Sequence, residues 1–190
     1  ILGALLMRIP LPLTAGQILW MNLIEDGLPN FALAFEGSEK EIMKRKPIKR
    51  TEPILDRRAK ALSYLYGIIA DIILLAVFYL FLEYTELSIE YIRTFMFVAI
   101  GSDALLYVFS IKSLDRSILK TNFLDNKFLL AAVVFGFAMI IIAVYVPAMN
   151  TLLKTEPLHL PMLALILALG VFKVFLMEII KWFYRPVEVV

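Results

Sequence analysis

Residues 15–31 read AGQILWMNLIEDGLPNF and combine two properties that seldom occur together. The stretch is apolar enough to lie in a membrane, yet it contains Asn22, Glu25 and Asp26, followed at once by a glycine and a proline. An acidic side chain costs about 2.5–3.5 kcal/mol at the centre of a membrane helix on insertion scales. A segment that only crossed a bilayer would avoid these residues, so the stretch indicates a functional site.

The composition indicates an integral membrane protein. Of the 190 residues, 61% are hydrophobic and the mean hydropathy is +0.83, whereas soluble domains contain roughly 45–50% apolar residues. A water-soluble fold of this composition would expose large apolar patches. The net charge of +2 does not suggest a nucleic-acid-binding surface, and the absence of cysteine excludes disulfides and thiolate metal sites within the chain.

The apolar segments predict an all-α, polytopic helical membrane bundle. A helical span needs about 20 residues, and we place five full spans at 15–36, 61–83, 91–112, 128–148 and 160–183. The alternating strands of a membrane barrel are absent. Residues 1–7 resemble the end of a helix that begins upstream, so we expect a fragment. The expected unit is a single transmembrane domain over residues 1–190, with residues 37–60 as its one long loop.

The basic residues predict the orientation of this domain. The loop at 37–60 contains nine of the 19 Lys and Arg residues. The positive-inside rule places such a loop in the cytoplasm. We therefore expect the loop and the C-terminus to be cytoplasmic and residues 8–14 to lie on the other side. At the C-terminus, Trp182, Phe183 and Tyr184 are typical of an interfacial anchor.

Single residues predict both the start and the break of the first span. Thr14 is followed three positions later by Gln17, the pattern of a capping box. Pro29 has no backbone N–H and disfavours the helical conformation at Leu28. We expect the helix to kink or unwind there, which a membrane tolerates only beside protein or a wet cavity.

The polar residues of this span are suited to binding a cation. Because Asn22 lies three residues before Glu25 and four before Asp26, an unbroken helix would place all three on one face. Their oxygen atoms are the ligands that hard cations prefer. The alternative is that they are buried polar groups bonded to a neighbouring helix, with the proline kink serving only shape. We favour the cation site because intramembrane acids are functional by default.

The segment resembles the sixth transmembrane helix and the following loop of P-type cation-transporting ATPases, especially the calcium-pump branch. The family pattern is Q-[IL]-L-W-x-N-L-x-x-D-G-L-P, then A-L-[AG]-F-[EN] and I-M-x-R-x-P. The matching residues are Gln17, Ile18, Leu19, Trp20, Asn22, Leu23, Asp26, Gly27, Leu28, Pro29, Ala32, Leu33, Ala34, Phe35, Glu36, Ile42, Met43, Arg45 and Pro47. The remaining spans resemble the seventh to tenth family helices in number, length and orientation.

The resemblance implies that Asn22 and Asp26 are ligands of a transported cation, most simply Ca²⁺. The calcium pumps have Thr just before the Asp, whereas this sequence has Glu25. The extra carboxylate could raise the affinity for a divalent ion or carry a proton. Two adjacent acids in a low dielectric resist ionising together, so we expect one of them to hold a proton when the site is empty.

Asp103 is the fourth candidate ligand. Aligning the nearby YVFSIKSL with the eighth family helix places Asp103 where the calcium pumps have a ligating Glu. The alternative is a buried Asp paired with Lys173 in the last span. For Asp71, in the second span, we expect a structural pairing with Lys173 or a backbone group. Lys173 could instead be a built-in cation that occupies a vacated site, and His159 has no expected role.

The motifs with which the family uses ATP are not found in these 190 residues. Neither the D-K-T-G phosphorylation motif nor the T-G-E actuator motif is present, and there is no Walker-type glycine loop. The chain alone should not hydrolyse ATP. ATP and Mg²⁺ would act only through missing amino-terminal and cytoplasmic domains of the same protein. By resemblance, the basic loop would contact the phosphorylation domain, and on its charge alone it would lie near anionic headgroups.

Three functions remain open at this stage. The favoured one is the cation-binding carboxy-terminal membrane region of an ATP-driven P-type pump. The second is a truncated, non-catalytic membrane scaffold or regulator, which would not need Asn22 or Asp26. The third is a cation/proton antiporter built around Asp26 and Asp103, which would transport ions without nucleotide.

Overall fold

The computed structural model describes residues 1–35, 57–111 and 125–184, except the side chains of a few residues that include Glu25 and Asp26. These parts of the chain are helical and contain no strand. The helices are α1 (Leu2–Met7), α2 (Ala15–Met21), a π-helical segment (Asn22–Gly27), α3 (Leu28–Leu33), α4 (Arg57–Tyr84), α5 (Ile89–Ile111), α6 (Lys127–Tyr145), α7 (Pro147–Leu153) and α8 (Leu160–Phe183). Most of the 37–60 loop lies outside the described residues.

Four helices are long and apolar enough to cross a membrane: α4, α5, α6 and α8. Each coincides within a few residues with a predicted span. The predicted first span, 15–36, is instead divided into α2, the π-helical segment and α3. The all-helical membrane bundle is therefore confirmed with four candidate spans, and a fifth uninterrupted one is not found among the described residues.

Helix α5 is the centre of the bundle. It packs against α8, α6, α4 and α2, and it is the most buried of the four long helices although it is the least apolar. Phe95, Phe97 and Leu105 on this helix are fully buried. Because protein rather than lipid surrounds α5, it can carry polar groups that an outer helix would expose to the hydrocarbon.

The outer helices present large apolar side chains outward. Leu65, Ile68 and Ile72 of α4 and Leu167 and Phe175 of α8 are exposed. In water such a surface would form extensive apolar patches, whereas in a bilayer it faces hydrocarbon. The outward faces of α4 and α8 are consistent with an integral membrane protein.

The segment between α7 and α8 is tied to the start of α5 by hydrogen bonds. The backbone N–H of Glu156 donates to Oγ1 of Thr94 at 2.9 Å, and the backbone N–H of His159 donates to the hydroxyl of Tyr91 at 3.1 Å. Oγ of Ser88 donates to the Glu156 carboxylate at 3.1 and 3.2 Å. These bonds hold the start of α8 beside α5, which positions Lys173 further along α8.

Candidate cation-binding site

The broken helix begins with the predicted capping box. The backbone N–H of Gln17 donates to Oγ1 of Thr14 at 3.2 Å, and the backbone N–H of Thr14 donates to Oε1 of Gln17 at 3.0 Å. Two of the N–H groups that a helix start leaves unpaired are thereby satisfied. This box fixes the entry of the chain into α2, and the prediction is confirmed.

The break itself has a different form from the predicted one. The helix does not unwind at Leu28 but widens into a π-helix over Asn22–Gly27, and α3 then starts with Pro29 in its first turn. Pro29 has no N–H for the carbonyl four residues earlier, and its ring would clash with that carbonyl in an α-helix. A π-helical turn inserts extra residues and changes the register before the proline, which is the physical reason for the displaced break.

Close packing anchors the π-helical segment between α5 and α6. Gly136 of α6 lies so close to its neighbours that an added Cβ would be 2.6 Å from Cδ2 of Leu105 and 3.3 Å from Cγ2 of Ile24. Ile24 belongs to the π-helical segment and Leu105 to α5. The absence of a side chain at Gly136 therefore allows three elements to meet at one point.

The end of the broken helix is held by the start of α6. Asn126 caps α6, because its Oδ1 accepts the backbone N–H of Leu129 at 2.9 Å. The same buried side chain donates through Nδ2 to the carbonyl oxygen of Ala32 in α3 at 3.0 Å. One asparagine thus satisfies a donor of α6 and an acceptor at the end of α3.

Of the three predicted ligands in this segment, only Asn22 has a described side chain. Asn22 is the first residue of the π-helical segment, and its side chain is exposed. Glu25 and Asp26 lie within the segment, but their side chains are outside the described part of the chain. Among the side chains that are described, no three His, Asp or Glu residues form a cluster that could hold a metal ion.

Asp103 is engaged by two partners at the centre of the bundle. Its Oδ2 lies 3.1 Å from Nζ of Lys173 on α8, and its Oδ1 accepts a hydrogen bond of 3.2 Å from the hydroxyl of Tyr66 on α4. Lys173 is only 1% exposed, compared with 16% for the Asp103 side chain. The alternative pairing of Asp103 with Lys173 is thus present, and a role of Asp103 in binding an ion stays a prediction.

Two stacked aromatic rings lie beside this ion pair. Tyr66 stacks on Tyr107 with ring centroids 4.5 Å apart and planes 5° apart. Gly170 allows α8 to approach α5, since an added Cβ there would be 3.3 Å from Cδ1 of Leu106. Tyr66 is not among the predicted site residues, because its partner lies 37 residues away and no local spacing signals such a contact.

Leu105 and Asp103 point to different sides of α5. Leu105 lies beside Gly136 and close to Ile24, whereas Asp103 contacts Tyr66 of α4 and Lys173 of α8. Residues two apart on an α-helix point about 200° apart around its axis.

Asp71 does not have the predicted partner. Lys173 pairs with Asp103, and Asp71 is exposed on α4, beside a cavity of about 330 Å³ that Gly3 of α1 and Met96 of α5 also line. Among the described residues Asp71 has no hydrogen bond or ion pair, so a pairing of Asp71 with a backbone group stays a prediction. Lys173 contacts Asp103 on the neighbouring helix α5 at 3.1 Å instead.

Comparison with known proteins decides the family. The family described as "Cation transporting ATPase, C-terminus" matches residues 10–183, which include the broken helix and all four long helices. The chain belongs to this family. The resemblance of the first span to P-type cation-transporting ATPases is thereby confirmed.

Relatives of this P-type ATPase region carry cation-transport names. A calcium-transporting ATPase of Bacillus subtilis is 29% identical over 81% of the chain and 17% of its own length. Calcium-transporting ATPase 1 of Saccharomyces cerevisiae is 30% identical over 86% of the chain and 17% of its length. A cation-transporting ATPase of Synechocystis is 27% identical over 83% of the chain and 18% of its length.

The chain spans about a fifth of the length of the curated relatives it matches. It is the carboxy-terminal membrane region of a P-type cation-transporting ATPase. The family membership and the apolar helices together identify an integral membrane protein.

Proposed function

We propose that this region binds the cation transported by an ATP-driven P-type pump. Asn22, Glu25 and Asp26 of the broken helix supply oxygen ligands, and Asp103 of α5 supplies a further carboxylate. The observation that carries the proposal is the position of the π-helical segment, which spans Asn22–Gly27 and so includes all three ligands of the first span. Single π-helical turns occur frequently at functional sites.

A broken helix is suited to a site that changes its affinity. A π-helical turn interrupts the regular hydrogen-bond ladder, so its backbone can rearrange without breaking a whole helix. The contact of Ile24 with Gly136 and the bond of Asn126 to Ala32 hold the segment at two points. Phosphorylation elsewhere in the protein would drive transport by stabilising one arrangement of the ligands over another.

Calcium is the first candidate for the transported ion. Relatives named calcium-transporting ATPases cover most of the chain, although another is named only for cation transport. Glu25 adds a second carboxylate beside Asp26, and more ligand charge favours divalent over monovalent ions.

The partners follow from the same proposal. ATP and Mg²⁺ act through amino-terminal and cytoplasmic domains of the same polypeptide, and the lipid bilayer surrounds the outer helices. The 37–60 loop and the C-terminus are cytoplasmic, because basic loops remain on that side of the membrane. In this orientation, the loop is on the same side of the membrane as the domain that is phosphorylated.

The first experiment measures the mass of the native polypeptide. An antibody against the last residues is used to probe source membranes by immunoblot. A band at about five times the 21.7 kDa of this chain fits a pump of the length of the relatives. A band at 21.7 kDa itself would overturn the pump proposal and leave the scaffold and the antiporter to be tested.

The second experiment measures ATP hydrolysis by the native polypeptide against a panel of cations. We expect stimulation by a divalent cation, with loss of that stimulation in Asp26→Asn and in Asn22→Ala. Asp71→Asn is the matched control, since Asp71 is a membrane carboxylate outside the proposed site. Equal stimulation in all four proteins would contradict the ligand assignment.

A further inference from the structure

The two ends of the broken helix are held in different ways. The π-helical end is close-packed, since a Cβ added at Gly136 would be 3.3 Å from Cγ2 of Ile24 and 2.6 Å from Cδ2 of Leu105. At the other end, a cavity of about 410 Å³ lies between α3 and α6. Close-packed contacts resist displacement, whereas a cavity leaves room for it. The end of α3 therefore has more freedom to move than the π-helical segment.

The walls of this cavity are apolar. Four phenylalanines line it, two from each side: Phe31, Phe35, Phe128 and Phe135. The ring centroids of Phe35 and Phe128 are 5.2 Å apart. Apolar contacts have no preferred direction, so these walls do not by themselves fix one position of α3 against α6.

A directional contact crosses the same boundary beside the cavity. Asn126 is 4% exposed, and its Nδ2 donates to the carbonyl oxygen of Ala32 at 3.0 Å. Ala32 also lines the cavity. A hydrogen bond weakens steeply when its geometry is distorted, so this bond defines a position for the end of α3.

The position of α3 reaches the proposed ligands through the chain. Helix α3 begins at Leu28, directly after the π-helical segment that ends at Gly27. A displacement of α3 therefore moves the backbone that carries Glu25 and Asp26. Hard cations such as Ca²⁺ require oxygen ligands at about 2.3–2.6 Å, so the site is sensitive to such a displacement.

We propose that Asn126 is a positioning residue of the cation site. Its bond to Ala32 docks the end of α3 on α6, and the docked arrangement is the one that binds the cation. This inference rests on the proposed function and deepens it, because it assigns control of cation affinity to a residue of another helix. Without the bond, the docked arrangement becomes less populated, and the apparent affinity falls in proportion.

The test measures equilibrium binding of radioactive Ca²⁺ to the purified native polypeptide without ATP, in the wild type and in Asn126→Asp. An ionised aspartate caps α6 as well as asparagine does, but it has no N–H for the Ala32 carbonyl. We expect the half-saturating Ca²⁺ concentration to rise about fivefold, the effect of one net hydrogen bond on an equilibrium. The added negative charge alone would attract a cation, so it opposes the expected change. Unchanged or tighter binding by the folded variant would overturn the inference.

A matched control comes from the opposite end of α6. Thr155 is buried, and its Oγ1 donates to the carbonyl oxygen of Ala143 at 2.6 Å. Thr155→Val removes this bond with little change of shape. We expect the variant to unfold at a lower temperature than the wild type and to bind Ca²⁺ with the wild-type affinity. An equal loss of affinity in this variant would show a general effect of a lost hydrogen bond and would also overturn the inference.

A cross-linking experiment covers the case in which Asn126→Asp does not fold. Phe35 and Phe128 are both exposed, so Phe35→Cys and Phe128→Cys can be combined with little effect on the core. A short thiol-reactive cross-linker is applied with and without Ca²⁺, and the yield of the linked pair is measured by mass spectrometry. Docking in the cation-bound protein predicts a higher yield with Ca²⁺. An equal or lower yield would refute the docked arrangement as the one that binds.

The two proposals fail in different ways. If Asp26→Asn retains full Ca²⁺ binding, the proposed cation site is wrong. If Asp26→Asn loses binding while Asn126→Asp binds like the wild type, the site stands and Asn126 is only a structural residue.

Discussion

The π-helical segment and the Asp103–Lys173 pair solve the same physical problem in opposite ways. Both regions contain acidic residues within apolar sequence, where an unpaired charge is costly. The π-helical segment changes the backbone around Glu25 and Asp26, whereas Asp103 and Lys173 lie on regular α-helices and neutralise each other. The first region has an irregular backbone, and the second contains an ion pair between two regular helices.

The difference indicates which region is poised for an external ion. An ion pair within the protein already supplies the opposite charge, so it adds no net charge to attract a cation. Glu25 and Asp26 are adjacent acids, and they lie where the α-helix is interrupted. The region with the altered backbone is therefore the stronger candidate for primary cation binding, and the following substitutions test the contrast.

The largest effect is expected for Asp26→Asn. The substitution removes a carboxylate ligand and leaves the helix length unchanged, so cation affinity should fall about 100-fold, because hard-ion binding depends on ligand charge. Equilibrium binding of Ca²⁺ measures this. Asp71→Asn should change the cation affinity by less than about twofold, since Asp71 is not one of the proposed ligands. Similar losses in the two variants would remove the distinction between the regions.

The next effect is expected for Lys173→Met, measured as stability rather than binding. The substitution leaves Asp103 in the bundle without its ammonium, which typically costs about 3–5 kcal/mol in the free energy of unfolding. Chemical unfolding in mixed micelles checks this value.

The double variant Lys173→Met with Asp103→Leu provides the control. Replacing both charges by apolar groups removes the uncompensated charge, so most of the lost stability should return. If the double variant were as unstable as Lys173→Met, packing and not charge would account for the loss.

A smaller effect is expected for Gly136→Ala, which tests the anchor of the π-helical segment. The new methyl group would be 2.6 Å from Cδ2 of Leu105, a side chain that is fully buried. Overpacking of this kind costs about 1–3 kcal/mol. The free energy of unfolding and the cation affinity should both decrease.

Gly67→Ala is the matched substitution in a regular helix. No atom lies within 4 Å of a Cβ added at Gly67 of α4. Alanine is favoured over glycine in a helix by about 0.5–1 kcal/mol, so this variant should be slightly more stable. A loss of stability at both glycines would argue against a specific contact at Gly136.

The smallest effect is expected for Thr14→Ala. The substitution removes the hydroxyl that accepts the Gln17 N–H at 3.2 Å, and loss of such a cap costs about 1 kcal/mol. Thermal unfolding should show the decrease, and Thr14→Ser should restore stability, because serine retains the hydroxyl. A full loss in Thr14→Ser would assign the effect to the methyl group instead.

Local features were predicted well because their causes are local. The capping box of Thr14 and Gln17 depends on residues three apart, and the break near Pro29 depends on a missing N–H. The four long helices follow from the length of their apolar segments. Only the form of the break differed, because the missing N–H of Pro29 predicts an interruption but not the π-helical register that precedes it.

The sequence by itself determined the membrane class, the helical architecture and the interrupted first span, since hydropathy, proline chemistry and capping act over a few residues. The tertiary structure decided that Lys173 pairs with Asp103 and not with Asp71, and that Tyr66 completes the pair. The physical reason is that an ion pair between helices depends on their rotation and separation. The packing of whole helix faces sets both, including the close approach of α8 to α5 at Gly170.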